Sequence, residues 1–171
     1  MKYTPAERAA LIDRYEKGST VLRDAFAKVP REAWNWRPGP RKWSVHEILA
    51  HCADAEAVAA MRIRYLVAED RPTLVAFDQD RWAEALDYLA TRVELALAAV
   101  DVMRAHTVNL LRRLPDEAWA REGIHTERGR YDAEDWLATY AEHLEKHAGQ
   151  IERTLDAWRQ ETTQPGLIHE P

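Results

Sequence analysis

The sequence predicts an all-helical fold, a four-helix bundle, and three observations carry that prediction. Apolar residues recur at helical spacing along four long stretches. Residues that cap helices stand where those stretches begin. Only 6 of 171 residues are glycine, whereas alanine and leucine, both strong helix formers, are abundant.

The first helix is expected from Pro5 to Val29. Pro5 suits a first helical turn and Thr4 can cap it. Leu11, Tyr15, Leu22, Phe26 and Val29 then fall on one side. The second begins at Ser44, where Ser44-Val45-His46-Glu47 forms a capping box. Val45, Ile48, Leu49, Cys52, Ala59, Ile63 and Leu66 trace its apolar stripe. The third is expected from Trp82 to Leu114, with Leu86, Leu89, Val93, Leu97, Val100, Leu111 and Leu114 buried, and Pro115 ends it. The fourth follows Asp132 and runs to Arg159, with Trp136, Leu137, Tyr140, Leu144, Ile151, Leu155 and Trp158 inward. One domain over residues 1–160 and a C-terminal tail, 161–171, follow from this division.

A short repeat supports a reading as two helical hairpins. Val29-Pro30-Arg31-Glu32-Ala33-Trp34 matches Leu114-Pro115-Asp116-Glu117-Ala118-Trp119. Between the hairpins, Glu69 to Arg81 is a linker that spans about 40 Å when extended. That is enough to cross the height of a bundle, so the second and third helices are free to run parallel.

Composition excludes several functions. Apolar residues make up 46% and charged residues 31%, with a net charge of -5. The basic residues are scattered, so nucleic acid is not an expected partner. No apolar run reaches the roughly 18 residues of a membrane span. Met1 to Arg8 lacks a hydrophobic signal segment, and the single Cys52 fits a reducing compartment, so cytoplasm is the expected location.

The histidines carry the chemistry. His143 and His147 are one helical turn apart and share an arc with Trp136, Tyr140, Ile151 and Trp158, which turns both imidazoles toward the interior. A buried imidazole needs partners for both nitrogens. Two answers are open: hydrogen-bonded core histidines, or a metal ion meeting one nitrogen of each ring. His51 flanks the apolar stripe of helix two and would complete a set of three. Glu47 is a candidate proton acceptor, although capping accounts for it; Asp54 and Glu56 are candidate acceptors for the ligand rings. His46 is expected to be exposed and Cys52 to be core. Trp34, Trp36 and Trp43 surround one loop, as anchors or pocket walls. His125 precedes helix four, where it can line a pocket mouth.

Two segments resemble the signatures of the DinB/YfiT-like family: Trp43 to His51 with Asp54 and Glu56, and His143-Leu144-Glu145-Lys146-His147-Ala148-Gly149-Gln150-Ile151. The resemblance extends over nearly the whole chain, including Pro30-Arg31-Glu32-Ala33-Trp34 and Trp36-Arg37-Pro38. It implies a bundle with a long crossover between helices two and three, up-down-down-up. It implies that His51, His143 and His147 bind one divalent ion, zinc or nickel, and that the protein is a homodimer. It further implies a metal-dependent transferase that couples a low-molecular-weight thiol to a small electrophilic substrate. The alternatives are a metal-dependent hydrolase and a non-catalytic, stress-related metal binder. Three imidazoles leave an ion with an open position, the pattern of a catalytic site. Ligand type does not choose the metal; zinc is favoured because it demands no special geometry.

Overall fold

A computed structural model describes residues 1–163. Helix α1, Pro5–Phe26, starts on a capping box between Thr4 and Glu7. Helix α2, Val45–Ala68, starts on the capping box between Ser44 and Glu47. A crossover follows, with a two-residue strand β1, Thr73–Leu74, a short helix α3, Gln79–Ala85, and a 3-10 turn at Tyr88–Ala90. Helix α4, Val93–Leu111, returns through the core. Strands β2, Glu122–His125, and β3, Gly129–Asp132, form a hairpin that feeds helices α5, Ala133–Ala141, and α6, His143–Thr163.

Side-chain pairs fix the helix directions. Lys28 of the α1–α2 connection meets Glu152, and Arg14 of α1 meets Glu145, so α1 and α6 run together. Arg112 reaches Asp13 and Arg23 reaches Asp101, so α4 runs against α1. Glu56 meets Arg104 and Arg64 meets Thr107, so α2 and α4 are parallel. Trp136 Nε1 donates to the Ala59 carbonyl at 2.9 Å, buried, which sets α5 against α2. The result is the expected up-down-down-up bundle, with the expected crossover between α2 and α4. Its core has two parts. One gathers Ile12, Tyr15, Ile63, Leu111 and Trp136; the other gathers Leu22, Ile48, Val100, Leu144 and Ile151.

Several boundaries differ from the sequence reading. The expected helix from Trp82 to Leu114 is broken. Asp87 adopts a left-handed backbone, φ 46°, which aspartate tolerates better than most residues. The chain there swings Tyr88 inward and leaves Leu86 and Leu89 exposed. Trp82, Leu86, Leu89 and Val93 keep helical spacing by sequence, and no glycine or proline marks the break. The fourth helix is interrupted at Glu142 (φ -99°, ψ -7°) and divides into α5 and α6. Of the tail expected over 161–171, residues 161–163 belong to α6; residues 164–171 lie outside the described residues. Helix α1 stops at Phe26, three residues short of Val29. The small sheet, ordered β1-β2-β3 with β1 parallel to β2, has strands too short to leave a periodic signal.

The six-residue repeat is a real structural unit. Each copy forms a 3-10 turn entered through its proline, with Ala33 N–H donating to the Pro30 carbonyl at 2.9 Å and Ala118 N–H to the Pro115 carbonyl at 3.0 Å. Both alanines are buried.

A charged cluster lies at the centre of the bundle. Arg104 pairs with Glu56 and donates to the Tyr15 carbonyl. Tyr15 Oη donates to Glu56 Oε2 at 2.8 Å, and the guanidinium lies 4.0 Å over the Tyr15 ring. Glycine at position 18 makes room, since a Cβ there would meet Arg104 Nη1 at 2.3 Å. Removing one partner leaves the other charge buried and unpaired. Glu56→Gln is therefore expected to cost about 3–5 kcal/mol and to lower Tm by about 10 °C. The double variant Glu56→Leu/Arg104→Met is expected to recover most of that loss. Urea and thermal unfolding of the three proteins check it.

Candidate metal centre

Capping and register place the site. The Ser44–Glu47 box starts α2 so that His51 falls on its inner side, fully buried. The Trp136–Ala59 hydrogen bond holds α5 against α2 about two turns away from His51. The interruption at Glu142 then begins α6 on His143, and His147 follows one turn on.

The three rings converge. His51 and His147 have ring centroids 4.8 Å apart, His143 and His147 4.6 Å, and His51 and His143 5.8 Å. One nitrogen from each lies within 4.8 Å of the other two. Nitrogens sharing one ion stand about 3.4 Å apart, so modest rotation of the rings closes the gap.

Their hydrogen bonding fits a cation. His147 Nδ1 contacts Gln150 Oε1 at 2.9 Å; donation by Nδ1–H leaves its Nε2 with a lone pair. Both nitrogens of His51 and Nδ1 of His143 are buried with no hydrogen-bond partner among the described residues. Each such atom costs about 1–3 kcal/mol. One ion can answer two of these three atoms at once, one on His51 and one on His143, which hydrogen-bonded core histidines in this arrangement do not. All three rings are also kept neutral, as ligands must be. Burial and the neighbouring His147 push the pKa of His51 down to about 3. Burial, His147, His51 and Arg104 push that of His143 down to about 2. Burial lowers His147 as well, against the opposing effect of Gln150.

Around the triad, Trp43 lies 4.8 Å from the His51 ring. Trp34 serves as an anchor, its Nε1 donating to the Val29 carbonyl at 3.2 Å. A cavity opens beside His51 and His143, walled by Arg62, Phe77, His125, Arg128, Tyr131 and Tyr140 among others. The sheet supplies part of this wall: His125 ends β2, and Ala76 N–H donates to Thr126 Oγ1 at 2.9 Å, which draws the crossover over the opening.

Other sequence candidates stand apart. The Glu47 carboxylate caps Ser44 and pairs with Arg37. Burial pushes its pKa up, but Arg37 and Ser44 outweigh that and hold it below the usual value. Its hydrogen bonds go to the cap and to Arg37, and it makes none to the three histidines. Glu56 is taken by Arg104 and Tyr15, and Asp54 lies by Tyr88, whose phenol burial and that carboxylate push up. Neither makes a hydrogen bond to a ligand ring. His46 is half-buried rather than exposed: its Nδ1 contacts Asn35 Oδ1 at 2.9 Å and its Nε2 the Thr91 carbonyl at 2.6 Å, tying two loops together. Cys52 is buried, and burial followed by Glu56 raises its thiol pKa strongly, so it is unreactive. His106 contacts Arg64 away from the site.

Arg62 was not evident from apolar periodicity, yet helical phase contained it. Eleven residues after His51 is about 20° from the same direction, which places Arg62 and the intervening Ala55 along the His51 side of α2. Arg128 and Phe77 sit in connections that sequence pattern leaves unplaced.

Acid reports on the triad. The folded pKa values lie below the ordinary 6.5, so the unfolded chain takes up protons that the folded chain refuses. The stability is complete above the unfolded value and is lost as pH falls toward the folded values. Metal-free protein is expected to weaken between pH 6.5 and about 5, above the carboxylate range, by up to about 1.4 kcal/mol per pH unit for each histidine. Urea unfolding at stepped pH checks this, and His51→Leu is expected to flatten the slope.

Comparison with known proteins bears on the family and the fold. The family model described as the DinB superfamily matches residues 14–151. The chain is 28% identical over 109 residues to a protein of Oceanobacillus iheyensis named "Putative metal-dependent hydrolase", a match covering 64% of this chain and 63% of that protein. It is 29% identical over 134 residues to a protein of Geobacillus kaustophilus with the same designation, covering 76% and 74%. The chain thus spans less than two thirds of the length of the Oceanobacillus relative. Among solved structures, YfiT from Bacillus subtilis, described as "a probable metal-dependent hydrolase with an unusual four-helix bundle topology", superposes with a TM-score of 0.84 at 20% identity, covering 93% of this chain and 90% of that one. That likeness speaks for the fold, and the family match speaks for descent: this chain belongs to the DinB superfamily.

Proposed function

We propose that the protein is a metal-dependent enzyme that holds one divalent ion on His51, His143 and His147 and acts on a small molecule. The observation that carries this reading is the convergence of three neutral imidazoles with unanswered buried nitrogens at the mouth of a cavity. When bound, a divalent ion supplies Lewis acidity that brings the pKa of a nucleophile, water or a thiol, toward neutrality. The chain does the rest. Gln150 fixes the tautomer of His147, and Trp43 packs against the His51 ring. Phe77 and Tyr140 confine the space in front of the rings, and Tyr140 Oη and His125 offer polar contacts to a substrate there. The designation of the relatives as hydrolases supports water as the nucleophile. Zinc is the favoured ion and nickel the alternative.

A second observation favours thiol transfer. A cleft of about 540 Å³ is lined by Trp43 together with Arg37, Arg41, Lys42, Asp80 and Glu84 among others. It has room and charge of both signs for a polar co-substrate such as a low-molecular-weight thiol, next to the ring that touches His51.

Metal analysis of protein purified without a nickel column is expected to give one divalent ion per chain. Leucine at position 51, 143 or 147 is expected to lower affinity more than about 100-fold, and Gln150→Leu about tenfold. Unchanged affinity in His143→Leu rejects the centre. Zinc-loaded protein is then assayed with ester and amide substrates, and with a chromogenic electrophile plus bacillithiol, mycothiol, glutathione or coenzyme A. Turnover that His51→Ala abolishes is expected in one arm. Metal binding without turnover in either arm identifies a non-catalytic metal binder.

A further inference from the structure

The cavity beside the three histidines is small, and its charged wall is mainly cationic. Its volume is about 130 Å³. A water molecule occupies about 30 Å³ of liquid, so the space suits a group of roughly four to six heavy atoms. Two arginines, Arg62 and Arg128, line it together with one exposed carboxylate, Glu127.

Arg62 is held in place from two sides. Its Nη1 donates to Tyr140 Oη at 2.9 Å and its Nη2 to the Val75 carbonyl at 2.6 Å. The third nitrogen, Nε, is buried without a hydrogen-bond partner among the described residues. Burying a guanidinium donor with no acceptor is unfavourable, so the fixed orientation calls for one. Arg128 reaches Thr139 Oγ1 at 3.4 Å and lies over the Tyr131 ring. Among the described residues neither guanidinium forms an ion pair, unlike Arg14, Arg37 and Arg104. Burial lowers the pKa of His125 in the same wall, and Arg62 and Arg128 add to that against the opposing effect of Glu127.

We propose that Arg62 and Arg128 form an anion-binding subsite, and that the substrate is a compact carboxylate seated there beside the histidines. The inference rests on the preceding reading in placing that carboxylate next to the ion. The guanidinium hydrogen-bonds carboxylates and phosphates alike, and size favours the former: a small carboxylate such as acetate has about four heavy atoms, whereas a phosphate monoester has about six or more, at the limit of the space. The neutral His125 and the Tyr140 hydroxyl complete the wall without opposing the charge. Arg62 is a binding residue in this assignment. Its bonds to Val75 and Tyr140 alone would make it a brace between the crossover and α5, and the test separates the two roles.

The full chain, labelled with nitrogen-15 and loaded with zinc, is titrated with acetate and with its neutral isostere acetamide at fixed ionic strength. The Arg62 Nε–H resonance is identified by its loss in Arg62→Lys. Acetate is expected to shift that resonance saturably and acetamide to leave it in place. Arg128→Gln, at an exposed position, is expected to weaken acetate about threefold at the same resonance. A motionless Arg62 resonance, an equal response to acetamide, or unchanged acetate affinity in Arg128→Gln overturns the subsite. Zinc content is measured on the same sample. Stoichiometric zinc with a silent Arg62 overturns the subsite and leaves the metal reading intact. An acetate response at Arg62 in protein that binds no zinc does the reverse.

Discussion

Three imidazoles removed from water, with too few acceptors and donors around them, constrain everything else in this molecule. A buried histidine is normally answered by neighbours on both sides of its ring. Here only His147 has such a neighbour, Gln150, while both nitrogens of His51 have none among the described residues. The bundle tolerates that unfavourable arrangement because its other parts are firmly set. Capping boxes fix where α1, α2 and α5 begin, and the Glu56–Arg104–Tyr15 cluster joins α1, α2 and α4. Rigid helices of this kind place side chains more accurately than loops do.

Much of the architecture was legible in the sequence because it rests on local chemistry. Ser44 and Glu47 announce a helix start whatever surrounds them, and a 3.6-residue apolar period identifies a buried face. His143 and His147 follow from the same geometry, since one turn of helix brings them together without help from the rest of the chain. The meeting of His51 with that pair is different. No property of the residues near position 51 says which other helix it faces. That connection came from resemblance to a family, and the structure supplies the convergence of the rings.

The parts that stayed illegible depend on tertiary context. Apolar spacing continued unbroken from Trp82 to Val93, and only the left-handed turn at Asp87 shows that the chain leaves the helix there. Glu56 looked like a surface or ligand-supporting carboxylate. It is fully buried because Arg104, 48 positions later, reaches across to it, and Gly18 on a third helix leaves the space. Glu47 is the opposite case: the cap read from Ser44-Val45-His46-Glu47 is present, and Arg37, which local sequence does not point to, joins it on the same carboxylate.

The small sheet divides labour within the molecule. It pins the crossover to the hairpin before α5, so Ala76 and Phe77 roof the cavity while His51, His143 and His147 stay on helices. Connections accept substitution more readily than packed helices do. Replacements along the roof can therefore reshape the cavity while the helices that carry the three histidines stay as they are. An architecture of this kind is well suited to diversification: one fixed histidine cluster behind a replaceable roof.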